Sequence, residues 1–440
     1  MRPAISLTFA AVCLPLAAPP APAQQPDPRV AAMVDSISPD RLAATLRRLE
    51  AFETRHTLSD TVSATRGIGA ARRWLFEAFE QASPRLQVSY DSYQIPQGGR
   101  ITRAVELRNV MAVLPGRSPR RVYISGHYDT VARPAAGQGF DWGAGDLPAP
   151  GVNDDGSGTA LVLELARVMA RSGVEFDATL VFIAFAGEEQ GLVGATAHAR
   201  KAAAEHWAVD AVLNNDIVGG TTAGNGLADS RTVRVFADGP EDSPSRQLAR
   251  YIRQAAATYV PGHAVRLIAR HDRFGRGGDH TAFNQEGFTG VRFSEATENY
   301  ARQHTVEDTF AGVSVEYLAR NARVNTAAAA SLALAPPAPV VTTAGGQPML
   351  GRGPSGYDAA LRWQASPGAT GYRVVWREAW SPDWQYQRVT GPETQLRLPD
   401  LSIDDFVFGV AAIGPGGQES LVSAYVNPPR RQADRPRQAP

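Results

Sequence analysis

Cysteine is almost missing from this chain: among 440 residues there is one, Cys13. A disulfide framework is therefore excluded, and stability must come from a packed apolar core with bound metal as a further source. A surplus of charge is missing too, because Lys+Arg and Asp+Glu each total 44. With no basic excess to neutralise phosphates or an anionic membrane, nucleic acid is not an expected partner. A long uninterrupted apolar run is also lacking. The opening MRPAISLTFAAVCLPLAAPPAPAQQ contains an apolar stretch shorter than the ~20 residues that span a bilayer, and Pro15, Pro19 and Pro20 interrupt it. Arg2 before that stretch and Ala-Pro-Ala at its end read as a secretory signal over residues 1–25. The expected location is secreted or periplasmic, with no membrane span and no thiol in the mature chain.

The length suits two folded units. Leu42, Leu46, Leu49 and Phe52 recur at helical spacing and Ala70 to Phe79 repeats the habit, which predicts two helices between Asp27 and Ser83. Apolar runs follow at Arg108–Gly116, Arg121–Asp129, Thr179–Glu189, Asp210–Gly219 and Thr289–Glu295, each reading as a buried strand that ends in polar residues. Helical stretches such as Thr159–Arg171 and Ser243–Tyr259 separate them. Alternating strands and helices predict an α/β fold, a sheet covered on both faces, with ligand sites at the carboxyl ends of the strands. An Ala/Pro-rich stretch from Ala327 to Val341 reads as a helix end and a linker across which few packing contacts are expected. Beyond it Ala360–Ala365, Tyr372–Glu378, Thr394–Asp400 and Phe406–Gly414 predict a small all-β sandwich, and the Pro/Arg/Gln tail from 428 to 440 reads as disordered.

Five clusters at the predicted strand ends offer metal-ligating side chains. In Gly126-His127-Tyr128-Asp129, the His127 ring can ligate a metal while Asp129 accepts a hydrogen bond that fixes its tautomer. In APGVNDDGSG, Asp154 and Asp155 sit in a Gly-rich loop before a helix. In AGEEQG, Glu188 and Glu189 end a buried strand, and two adjacent acids there call for a cation or a shared proton. Asp216 in LNNDIVG stands in an apolar strand where an unpaired charge is costly, and QHTVEDT offers His304. Singly each has an ordinary reading as a turn, cap or surface residue. Together they describe one site.

The order and spacing of these motifs resemble the co-catalytic zinc aminopeptidases of the bacterial leucyl and Streptomyces type, over roughly Arg29 to Leu334. The resemblance implies a mostly parallel central sheet flanked by helices, and two zinc ions per chain. It implies that Asp154 bridges both ions, that His127 and Asp216 complete one set, and that Glu189 and His304 complete the other. Glu188 matches the family's general base, acting on a zinc-bound hydroxide, with Asp129 supporting His127. A cis peptide between Asp154 and Asp155 is implied as well. GGDHTAF (Gly277 to Phe283) is similar to a helix start near the family's substrate pocket. Two positions depart from the pattern: Gln303 stands where the Streptomyces type has tyrosine, with Tyr300 nearby, and Arg276 is one residue out of step relative to Asp279.

Residues 339–427 resemble a fibronectin type III module, with Trp363 as its core tryptophan and Phe406 near its usual corner tyrosine. Trp376, Trp380 and Trp384 cluster in sequence; packing or linker contact is the expected role, an exposed ligand platform the other. The whole chain is thus expected to be a zinc metallo-aminopeptidase acting on peptides with a free N-terminus, the peptidase unit spanning 27–335. A glutaminyl cyclase-like zinc transferase is the alternative from another class, and carboxypeptidase or dipeptidase action is the alternative within peptidases.

Overall fold

The computed structural model describes residues 26–134 and 138–426. The segments expected to be a secretory signal (1–25) and a disordered tail (428–440) lie outside the described residues. Among those residues, strands β1 (Gln87–Ile95), β2 (Val105–Leu114), β3 (Arg121–His127), β4 (Thr179–Phe185), β5 (Val209–Asn215), β6 (Thr232–Ala237), β7 (Ala264–Ile268) and β8 (Gly290–Glu295) form one sheet in the order β1-β2-β4-β3-β5-β8-β6-β7. Helices α1 (Pro28–Asp35), α2 (Pro39–Glu50), α3 (Gly67–Ala82), α4 (Gly156–Arg171), α5 (Val193–Ala204), α6 (Pro244–Tyr259), α7 (His280–Gln285) and α8 (Val315–Leu334) cover it. The four central strands β4, β3, β5 and β8 run parallel, and antiparallel pairings bring in β2 on one side and β6 on the other. This is the α/β arrangement that the alternation of strands and helices predicts, mostly parallel as the family resemblance implies.

The central strands are buried almost from end to end because both sheet faces are covered, and most of their positions carry apolar or small residues. Their side chains alternate between two cores. Val122, Ile124, Leu180, Phe182 and Leu213 face the core shared with α4 and α8, whereas Tyr123, Val181, Ile183 and Val212 face the one shared with α5 and α7. The amino-terminal region holds three helices rather than two. Ser36 and Ser38 explain the break: α1 ends at Ser36, and Ser38 caps a new helix whose first residue is Pro39, a position where its missing N–H costs nothing.

Beyond α8 lie β9 (Leu350–Arg352), β10 (Ala359–Arg362), β11 (Gly371–Glu378), β12 (Tyr386–Thr390), β13 (Gln395–Leu398), β14 (Phe406–Ile413) and β15 (Ser423–Ala424). They make antiparallel sheets β13-β10-β9 and β12-β11-β14-β15 around a core of Trp363, Tyr372, Val374, Phe408 and Val410.

The expectation of a sparsely contacted linker fails. The small sheets dock on α6: buried Arg377 pairs with Asp242 at 2.6 Å, Trp384 Nε1 donates to Gln247 Oε1 at 3.1 Å, and Arg250 Nε donates to the Pro382 carbonyl at 2.9 Å. Leu421 even joins the apolar core of the first unit. Of the three tryptophans, Trp376 packs on Tyr386 and Trp384 on α6, while Trp380 is 79% exposed.

Candidate metal centre

Each candidate side chain stands where a central parallel strand ends. His127 closes β3, Glu188 and Glu189 follow β4, Asp216 follows β5, and His304 lies in the loop after β8. Because these strands are parallel, all of their carboxyl ends fall at one edge of the sheet, so residues far apart in sequence converge. The remaining contributor, Asp154, comes from the loop between β3 and α4.

The two imidazoles flank one carboxylate. His127 Nε2 lies 3.3 Å from Asp154 Oδ1 and 3.9 Å from Asp216 Oδ1, while His304 Nε2 lies 2.9 Å from Asp154 Oδ2 and 3.2 Å from Glu189 Oε1. Ligand atoms of Asp154, Glu189 and His304 fall within 4.8 Å of one another, as do those of His127, Asp155 and Asp216. The second grouping raises the question of which adjacent aspartate faces the centre. Asp155 is committed elsewhere: its carboxylate accepts from the backbone N–H of His127 (3.0 Å), Gly158 (2.8 Å) and Ile217 (3.3 Å). Asp154 is the one turned between both histidines. The peptide joining the two is cis.

The role expected of Asp129 needs correction. Its carboxylate oxygen is 3.7 Å from His127 Nδ1, too far for a hydrogen bond, and the Asp129 backbone carbonyl receives that bond at 3.1 Å. The Asp129 carboxylate instead accepts from the N–H groups of Glu188 and Glu189, at 3.1 and 3.2 Å, and so fixes the turn that carries the paired glutamates.

Electrostatics at this edge favour a cation. Burial raises Glu188, Glu189 and Asp216, and nearby acids add to it, Asp216 and Glu189 acting on Glu188 and Asp154 acting on Glu189 and Asp216; Asp216 is pushed up to about 6 and Glu188 well above the ordinary range. Burial likewise opposes charge on Asp154, yet His304 and His127 together hold its carboxyl well below the usual value. Glu189 Oε1 is buried and makes no well-aligned hydrogen bond, its near polar neighbour being His304 Nε2 at 3.2 Å. A crowd of buried acids with an unsatisfied oxygen and two imidazoles turned inward is a donor set that zinc suits, nitrogen and oxygen mixed.

Several contributors are given no place in the centre by the sequence alone. Fully buried Arg292 on β8 places Nη2 2.9 Å from Asp216 Oδ1 and Nη1 3.1 Å from Asp272 Oδ2. Asp308 accepts from the N–H groups of Asn153 and Asp154, both at 2.9 Å, tying the loop after β8 to the loop before α4. Gln303 Nε2 donates to Asp154 Oδ2 at 2.8 Å and its Oε1 accepts from Arg276 Nη1 at 3.0 Å, so the departures from the family pattern meet beside the centre. Asp279, in GGDHTAF, is buried with both carboxylate oxygens unpartnered. Tyr300 is 60% exposed and lines the outer cleft. That cleft, of about 560 Å³, includes Glu188, Glu189, His304, Phe140 and Trp142, and none of the residues lining it belongs to the small sheets.

The model for peptidase family M28 matches residues 109–329. A "Probable zinc metalloprotease" of Pyricularia oryzae is 37% identical over 439 residues, covering 90% of this chain and 84% of that protein. Another of Leptosphaeria maculans is 36% identical over 430 residues, covering 90% of this chain and 96% of its own. Among solved structures, the LapA aminopeptidase of Legionella pneumophila shares the fold at a TM-score of 0.56 and 23% identity, covering 72% of this chain and 78% of its own. A glutaminyl cyclase of Fimbriiglobus ruber does so at 0.50 and 21%, covering 67% and 95%.

Proposed function

The chain belongs to peptidase family M28 and is a zinc metalloprotease, and from that premise we propose that it removes N-terminal residues from peptides at a two-zinc centre. His127, Asp154 and Asp216 would hold one ion, and Asp154, Glu189 and His304 the other. The observation that supports this reading is the Asp154 carboxylate, with one oxygen on each imidazole. Zinc, when bound, supplies a Lewis acid for the peptide carbonyl and makes an attacking water more acidic.

The remaining work falls to the protein's own groups. Glu188 lines the cleft beside Glu189, on a turn that the Asp129 carboxylate holds by two backbone bonds. It takes the proton from the attacking water and returns it to the departing amine. The small all-β unit reads as a fibronectin type III-like module that leaves the cleft untouched, and export through residues 1–25 would place the enzyme outside the cytoplasm or in the periplasm.

The test is a comparison of unblocked with N-acetylated peptides and of amino-acid anilides, with metal content measured on the same sample. The expected result is two zinc ions per chain, loss of turnover with a chelator and its return with zinc, and cleavage only where the amine is free. One tightly held ion with full activity would overturn the two-metal reading. The glutaminyl cyclase of the same fold motivates one more arm: conversion of N-terminal glutamine to a cyclic product, without release of a free amino acid, would replace hydrolysis by cyclisation.

A further inference from the structure

One wall of the cleft is a four-member stack that the reaction described above does not use. Phe140 and Trp142 stack with centroids 4.8 Å apart, Arg133 lies over Phe140 at 4.8 Å, and Arg100 lies over Trp142 at 4.5 Å. The wall is tied to the His304 end of the centre. Phe140 meets the His304 ring edge-on at 5.4 Å, the Arg133 N–H donates to the His304 carbonyl at 3.0 Å, and Arg100 Nη1 donates to the Glu189 carbonyl at 2.8 Å.

Neither guanidinium has an acidic partner among the described residues. Arg276, the other arginine lining the cleft, does: it bonds Gln303 and lies 3.9 Å from Glu298. An arginine stacked on an aromatic face keeps its in-plane N–H groups free for a bidentate acceptor, and a carboxylate matches that fork. Two unpaired cations at one wall also repel a substrate ammonium, so the amine of a bound peptide is directed away from it.

Resting on the peptidase reading of this cleft, we propose that the Arg133–Phe140–Trp142–Arg100 wall selects peptides carrying a carboxylate close to the scissile bond. The carboxylate is either the C-terminus of a short peptide or an acidic side chain. The aromatic faces supply apolar contact for the chain between the carboxylate and the cleaved bond.

The experiment compares kcat/KM of the zinc-loaded full chain on matched pairs. Leu-Gly against Leu-Gly-amide reads the C-terminal carboxylate, and Leu-Asp-amide against Leu-Asn-amide reads the acidic side chain. The expected preference is roughly tenfold for the acid member of at least one pair, expressed in KM, as for one charge-assisted bond. Arg133→Gln and Arg100→Gln should bring that ratio toward one, and Arg133→Lys should retain part of it. Equal rates within both pairs for the native enzyme, or an unaltered ratio in both glutamine variants, would overturn the proposal. Equal cleavage of N-acetyl-Leu-Gly and Leu-Gly would instead overturn the requirement for a free amine, and would leave the acid-to-amide ratio measurable.

Discussion

Glu188 and Arg292 stand at the same candidate centre, and the proposed reading gives them different parts that single substitutions separate. Glu188→Gln keeps the shape of the side chain and removes its capacity to accept a proton. The expected outcome is a fall in kcat of at least ~10²-fold, with zinc content near the native value by elemental analysis. Loss of metal from Glu188→Gln but not from Glu189→Gln would reverse the assignment of the pair. Arg292 instead steadies a candidate ligand, its guanidinium bridging Asp216 and Asp272 in the interior. Arg292→Met should weaken the zinc assigned to His127, Asp154 and Asp216 by about 10–100-fold in a chelator competition, the usual cost of losing a partner that orients a ligand. Since Asp272 would be left buried and unpaired, Arg292→Lys is the companion variant, expected to fold better and to lose less affinity. Equal zinc affinity in native protein and both variants would show that Arg292 only fills space. The ligand candidates were legible because each stands in a short cluster of polar residues, most of them where an apolar run ends. Arg292 was not, since it sits inside such a run. The cue was the one that marked Asp216: a charge within an apolar strand requires an opposite charge nearby.

At the scale of elements, Asp155 joins three of them. It caps α4 through Gly158, holds β3 through the His127 N–H and holds the chain after β5 through the Ile217 N–H. The packing around it is close. A Cβ on Gly158 would stand 2.2 Å from the Asn215 carbonyl oxygen and 2.4 Å from Asp155 Oδ2, which is why glycine follows the aspartates in this loop. Asp155→Ala would strand several buried N–H groups as well as remove the cap. It should lower stability by about 3 kcal/mol in urea unfolding of the metal-free protein, and Asp155→Asn, which keeps an acceptor, by less. Full stability in the alanine variant would mean that water replaces the carboxylate. Strands β3, β4, β5 and β8 were readable because burial on both faces fills most of their positions with apolar or small residues. β1 was not: its faces alternate between exposed and half-buried at the sheet edge, so its apolar pattern is weak. β9 and β15, at three and two residues, are too short to leave a pattern at all.

For the whole molecule, strand direction decides what the small sheets can influence. β6 runs antiparallel to β8, with Val233 opposite Glu295 and Ala237 opposite Val291. The end of β6 and the segment leading into α6 therefore lie at the sheet edge away from the metal centre. There Asp242 meets Arg377, and further along α6 Gln247, Arg250 and Arg253 meet Trp384, Pro382 and Asp383. Sequence reasoning from the Ala/Pro-rich linker predicts independence of the two units because composition carries no sign of docking between side chains over a hundred residues apart. The structure predicts dependence in stability and independence in chemistry. A chain ending at Ala335 loses the Arg377–Asp242 pair and the contacts of Trp384 and Leu421, and bares the α6 face that they cover. Its thermal midpoint should fall by roughly 5 °C or more, and its solubility with it. Arg377→Met in the full chain should reproduce part of that fall, because Asp242 then lacks its cation. Anilide turnover per zinc-loaded, folded molecule should nevertheless match the full chain, since every residue lining the cleft precedes Val315. An unchanged midpoint would show that docking contributes no stability. Loss of turnover in a folded, zinc-loaded shortened chain would show instead that the small sheets support the centre through α6.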